Sequence, residues 1–102
     1  MLKENKIIVQ IDPDIKPLIP GFLELKKKSI EKIKKLFKNG KIDEIIEITH
    51  KMKGSWGTYG FKDLSKLACD LEKDLIKKDE VKFQNKLTRM EDYIKNMEII
   101  FV

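Results

Sequence analysis

The chain has 102 residues, the length of one ordinary domain, with 41% hydrophobic residues to fill a single core and 38% charged residues to solvate its surface. One cysteine, Cys69, and one histidine, His50, exclude an internal disulfide, a four-ligand Cys/His zinc site, a two-histidine metal motif and a CxxC redox pair. The net charge of +5 comes from 22 basic against 17 acidic residues, and Arg89 is the only arginine, a poor endowment for bidentate reading of nucleic acid.

Residues 1–11 read as an extended arm: Ile7, Ile8, Val9 and Ile11 are apolar and β-branched, but the run is too short and isolated for a core strand. It lacks the small-residue cleavage site of a signal peptide, and no apolar run approaches the roughly 18 residues of a membrane span. With a lone thiol, this points to the cytoplasm. Residues 12–21 hold all three prolines. Asp12-Pro13 suits a helix start, which predicts a short helix interrupted near Pro20.

Four longer helices follow. Over 22–38 the apolar residues Phe22, Leu25, Ile30, Ile33, Leu36 and Phe37 fall at helical spacing, and Asn39-Gly40 stops them. The stripe of 42–59 is Ile42, Ile45, Ile48, Thr49, Met52, Trp56 and Tyr59, ended by Gly60. Phe61, Leu64, Leu67, Ala68, Leu71 and Leu75 mark 61–78, and Phe83, Leu87, Met90, Ile94 and Met97 mark 80–97, with Asp79 as its cap. Short turns between such helices predict an all-α fold, an up-and-down antiparallel four-helix bundle with a short extra N-terminal helix, in one domain spanning 1–102. The apolar tail, Ile99 to Val102, is placed beside the N-terminal arm.

The sole histidine stands on the far side of its helix from the apolar stripe. At 3.6 residues per turn its neighbours are Asp43, Ile46, Glu47, Lys53, Gly54 and Gly57. Two of these are glycines in mid-helix, where each costs about 1 kcal/mol relative to alanine. Clearing space around the imidazole would offset that cost, and Lys53 puts a positive charge where an anion on the ring would sit. The bland alternative is a surface histidine beside glycines that serve helix packing. Packing glycines should face the bundle, whereas these point with the histidine.

The run His50-Lys51-Met52-Lys53-Gly54-Ser55-Trp56-Gly57-Thr58-Tyr59-Gly60-Phe61 resembles the signature of histidine-containing phosphotransfer (HPt) domains. Phe61, Leu64, Leu67 and Leu71-Glu72 match the helix that follows in that family, and Leu18-Ile19-Pro20-Gly21-Phe22-Leu23-Glu24 looks like the helix entry of its bacterial members. The resemblance implies a phosphorelay carrier rather than an enzyme. His50 would accept a phosphoryl group on Nε2 from a receiver-domain aspartate or a histidine kinase, then pass it to a response-regulator receiver. It implies no cofactor of the chain's own, because the partner receiver supplies Mg²⁺ and the catalytic acids. Lys53 would steady the phosphoryl oxygens, Gly54 would permit close approach and Gly57 would extend the cleared surface. Glu72, 22 residues after His50, stands where the chemotaxis-kinase branch of the family carries a glutamate that holds the inner ring nitrogen; an ordinary surface acid is the other reading. Trp56 departs from the family, which carries a small residue there, and falls at the core edge. Lys41 stands where a capping aspartate is common, with Asp43 as the substitute.

The expected partners are receiver domains and a sensor or hybrid kinase, met by a monomer. Docking calls for an apolar patch beside the histidine. Ile46 and Glu47 lie one turn before His50, and Ile15, Leu18, Ile19 and Phe22 lie on the helix entry; for Ile19 and Phe22, capping the core is the equal alternative. Lys26, Lys27, Lys28, Lys32, Lys34, Lys35 and Lys38 make the first long helix basic. A solvated face accounts for this more simply than nucleic acid or a membrane, and steering toward acidic receivers is a third use. Cys69 reads as a half-buried filler. The competing functions are an interaction module that carries no phosphate and, less well supported, a basic nucleic-acid binder.

Overall fold

A computed structural model describes residues 6–102. The order is a strand β1 (Ile7–Ile11), a six-residue 3-10 helix (Pro13–Leu18), the helices α1 (Ile19–Lys38), α2 (Ile42–Thr58), α3 (Lys62–Ile76) and α4 (Glu80–Asn96), and a strand β2 (Met97–Phe101). The protein is therefore mostly helical, with four long helices compatible with a helical bundle.

Two expectations are corrected. The fold is not all-α: the arm and the tail pair as a parallel two-stranded sheet, in register from Ile7 opposite Met97 to Ile11 opposite Phe101. The arm is a strand because its β-branched residues alternate, with Val9 and Ile11 buried while Ile8 and Gln10 face out. Its partner is contributed from the other end of the chain, where Met97 takes an extended conformation directly after α4. The predicted short helix is also shorter and tighter than expected, ending at Leu18. Pro20 interrupts nothing, because it occupies the first turn of α1, where no intrahelical N–H bond is lost. Expectations about residues 1–5 lie outside the described residues.

Three turns of matching geometry separate the long helices. In each, an N–H beyond the helix reaches back to a carbonyl five residues earlier: Lys41 to Leu36 at 2.9 Å, Phe61 to Trp56 at 2.9 Å and Asp79 to Asp74 at 2.8 Å. The residue before each donor has a left-handed backbone, namely Gly40 (φ 69°), Gly60 (φ 91°) and Lys78 (φ 62°). Asp79 then caps α4 by accepting from the Lys82 N–H at 3.1 Å. Asp43 caps nothing; α2 begins without a side-chain cap.

The core is built from β1, the four long helices and Phe61, with half-buried side chains of the 3-10 helix and β2 packed against it. Trp56, Phe61 and Phe22 form an aromatic knot, with Phe22 edge-on to Trp56 at 5.3 Å and stacked on Tyr59 at 3.9 Å. Phe37 stacks on Phe83 at 5.2 Å across α1 and α4. Trp56 is fully buried, deeper than its place on the wheel indicated, and its indole N–H has no hydrogen-bond partner. Two lysines of the basic helix are engaged within the fold. Lys34 pairs with Glu91 of α4, which raises its pKa, and Lys26 lies 5.0 Å over the Phe22 ring, where burial lowers its pKa.

Between α3 and α4, the Tyr93 hydroxyl donates to Asp63 Oδ2 at 3.0 Å. Burial, then the Asp63 hydrogen bond and charge, push its pKa from 10.0 up to about 12. A phenol whose folded pKa is raised stabilises the protein fully below pH 10, and that contribution disappears as pH rises through about 12. Chemical denaturation at a series of alkaline pH values should therefore show a decline between these limits, and Tyr93→Phe should flatten it.

Candidate functional site

The site is built on the facing edges of α2 and α3. His50 lies mid-way along α2, where Thr49 and Met52 turn inward and are buried, so the imidazole is held at the surface with its side chain 64% exposed. On α3, the spacing of Ser65, Cys69, Glu72 and Ile76 puts them on one stripe, a turn apart at each step. This stripe runs along the α2 edge that carries His50.

Glu72 is the residue that α3 brings to the histidine. Its Oε2 lies 3.0 Å from His50 Nδ1, and its Oε1 lies 3.7 Å from Lys53 Nζ. The carboxylate is 16% exposed, against 64% for the imidazole, so one largely sheltered acid bridges two more exposed groups. An ionised carboxylate can only accept a hydrogen bond, so this contact requires the proton on Nδ1. The neutral ring then presents its lone pair at Nε2, the nitrogen that faces away from Glu72. Lys53 is 37% exposed and leans toward Glu72 at the rim of the same face.

The two glycines differ. A Cβ built on Gly54 meets nothing within 4 Å, so the space one turn beyond His50 is open. A Cβ built on Gly57 would stand 3.3 Å from the Ser65 hydroxyl of α3. Gly57 thus lies against the neighbouring helix, whereas the sequence grouped it with the cleared surface. Ser65 itself carried no signal beyond being small; its hydroxyl donates to the Lys53 carbonyl at 2.7 Å.

The other expected residues separate into two regions. Ile46 is half-buried and Glu47 exposed, one turn before His50. Ile46 lines an open groove of about 470 Å³ with Ile42, Leu75 and Ile76, and Ile76 is 60% exposed. Ile42, Leu75 and Ile76 were not singled out in the sequence as part of this surface. Phe22, in contrast, is a core residue. It is 7% exposed and stacked on Tyr59, nine residues beyond His50 toward the far end of α2, so it is corrected from docking candidate to core. Ile19 is buried as well, Ile15 is half-buried against the core, and only Leu18 of the helix entry stands out, at 54%.

Among the described residues no cluster of His, Cys, Asp and Glu is arranged to hold a metal ion, and no helix is long and apolar enough to cross a membrane. The chemistry on offer is a single exposed imidazole with its tautomer fixed from one side, a lysine at its rim and open backbone beyond it.

A family model described as Hpt domain matches residues 21–98. Comparison with curated proteins gave no match, and neither did comparison with solved structures.

Proposed function

The chain belongs to the Hpt domain family, the match covering most of its length, and from that premise we propose that His50 is the phosphoryl acceptor of a multistep phosphorelay. Phosphorelay histidine phosphotransfer is the general role of the family. The residue assignments and partners that follow are specific to this chain. The observation that carries the proposal is the contact of His50 Nδ1 with Glu72, which leaves Nε2 as the nucleophile on an exposed ring.

The lone pair of Nε2 attacks the phosphorus of a receiver's aspartyl phosphate. As the N–P bond forms, the P–O bond to the aspartate breaks and its carboxylate leaves with the electron pair. The ring gains positive charge in this step, and the Glu72 carboxylate on Nδ1–H balances it. Onward transfer to a second receiver reverses the sequence. Phosphoryl transfer depends mostly on positioning and on neutralising charge, so the bundle need supply no acid or base beyond these groups. Mg²⁺ and the acids that bind it come from the receiver. Lys53, held at the rim by Glu72, is placed to meet the phosphoryl oxygens, and Gly54 admits the receiver's backbone.

The antiparallel arrangement expected of neighbouring helices is supported by the contacts, since residues rise along α2 as their α3 partners fall: His50 meets Glu72, and Lys53 meets Ser65. A cytoplasmic monomer suits a carrier with one thiol and a four-helix core. The groove of Ile42, Ile46, Leu75 and Ile76 is the apolar surface on which a receiver would seat beside His50.

The proposal is tested by incubating the protein with a phosphorylated receiver, or with a cognate kinase and ATP. Phosphate that is labile to acid and stable to alkali should appear on the chain. Failure to take label from any kinase or receiver of the source organism would overturn it. Two variants separate access from docking. Gly54→Leu should fold normally and slow transfer by about a hundredfold, because the receiver's aspartate can no longer reach Nε2. Ile76→Asp should instead weaken receiver binding by roughly tenfold, read as a raised half-saturating receiver concentration with little change in the maximal rate.

A further inference from the structure

We propose that Ser65 is a positioning residue for the phosphoryl acceptor, and that Gly57 lacks a side chain in order to let Ser65 work. This goes beyond the phosphocarrier reading and rests on it for one readout only, the transfer rate.

The Ser65 hydroxyl has no partner within its own helix. Ser65 lies in the first turn of α3, half-buried. Instead of bonding to its own helix, it donates across to the Lys53 carbonyl of α2 at 2.7 Å, a short bond for a hydroxyl. Lys53 is three residues past His50. Glu72 is seven residues past Ser65 on the same stripe of α3, about 10 Å along the helix axis. The two contacts, Ser65 to Lys53 and Glu72 to His50, are thus successive rungs between one pair of helices.

Gly57 fits the first rung. Its missing Cβ would stand 3.3 Å from the Ser65 Oγ and 3.9 Å from the Ser65 Cβ. The first distance is tighter than ordinary van der Waals contact and the second is not. A methyl group at position 57 therefore conflicts with the hydroxyl and not with the rest of Ser65. Relief requires Ser65 to abandon its bond to Lys53, or α3 to move outward by a few tenths of an ångström. Either loosens the lower rung. The upper rung stands at 3.0 Å and has little slack before it leaves hydrogen-bond range. In this arrangement Gly57, Ser65 and the Lys53 carbonyl set the separation of α2 and α3, that separation sets the reach of Glu72, and the reach of Glu72 fixes the His50 tautomer.

The single histidine makes this measurable without any partner, because its two ring nitrogens are the only imidazole signals in a ¹⁵N-labelled sample. In the unmodified protein the neutral ring should be mostly Nδ1–H. Ser65→Ala and Gly57→Ala should each shift the tautomer ratio several-fold toward Nε2–H and slow phosphotransfer by about tenfold, with the far-UV circular dichroism unchanged. In the Ser65→Ala background, Gly57→Ala should add nothing, because the atom it conflicts with is gone. The proposal is overturned if both single variants keep the tautomer ratio of the unmodified protein, or if Gly57→Ala costs as much with Ser65→Ala as without it. If the unmodified protein takes up no phosphate, the carrier reading fails by itself and the tautomer measurements still decide the role of Ser65.

Discussion

His50→Gln is expected to abolish phosphoryl uptake completely while leaving the protein folded. Glutamine can reproduce part of the contact with Glu72, since its amide N–H can donate to the carboxylate, but it has no lone pair able to form a stable N–P bond. The site offers no substitute nucleophile among the residues brought together there. Lys53 is a cation beside Glu72, and Cys69 lies on the α3 stripe, half-buried. Stability should barely change. The imidazole is 64% exposed and its one contact is a hydrogen bond at the surface, worth about 1 kcal/mol at most. Thermal unfolding should therefore shift by no more than about 8 °C, and acid-labile label should be absent at every incubation time. Label that persists on the glutamine variant would move the acceptor to another residue.

Glu72→Gln provides the contrast. It keeps the shape of the bridge and removes its charge, so uptake should continue at a reduced rate instead of stopping. The difference between the two variants separates the nucleophile from the group that aims it.

Much of this was legible in the sequence because helices announce themselves locally. A stripe such as Phe61, Leu64, Leu67, Ala68 and Leu71 contains the information for both the helix and its buried face, and Gly40 and Gly60 mark two of the three turns. The outward direction of His50 follows from the same periodicity. What stayed hidden depends on distance along the chain. Shared apolar character puts the tail beside the arm, but nothing in either segment encodes that Ile7–Ile11 pairs with Met97–Phe101 as parallel strands in that register. Asp79 places the third turn through its cap, but the helix expected before it runs to 78 where α3 ends at Ile76, because Lys78 takes the left-handed conformation without being glycine and leaves that end unmarked. Around the site, spacing within α2 could group Gly54 with Gly57 but could not show that α3 passes beside only one of them. Phe22 shows the same limit. An apolar residue at a helix entry can cap a core or meet a partner, and only the Tyr59 ring stacked against it decides for the core.

The largest stability change is expected at the end of α3 farthest from Ser65. Lys86→Met should destabilise the protein by about 3–5 kcal/mol. Asp74 is 6% exposed, in the last turn of α3, and Lys86 of α4 approaches its Oδ2 to 2.9 Å. The contact lies off the angle of a hydrogen bond, since the same oxygen has no hydrogen-bond partner, so the ammonium acts mainly as a countercharge. Removing it leaves a carboxylate without a partner, away from water, near the negative end of a helix dipole. The reverse change should cost much less. Lys86 is 24% exposed, and in Asp74→Asn its flexible stem can carry the ammonium out to solvent. Replacing both, as Asp74→Leu with Lys86→Met, should restore most of the stability, because neither desolvation penalty remains. Urea denaturation of the three variants measures this order; equal losses for Lys86→Met and Asp74→Asn would show that the carboxylate is not stranded. The consequence reaches the site, because Glu72 lies half a turn before Asp74 on the same helix. A frayed end of α3 releases the His50 contact and opens the Leu75–Ile76 side of the groove together, so Lys86→Met should also slow phosphotransfer at temperatures well below its unfolding midpoint.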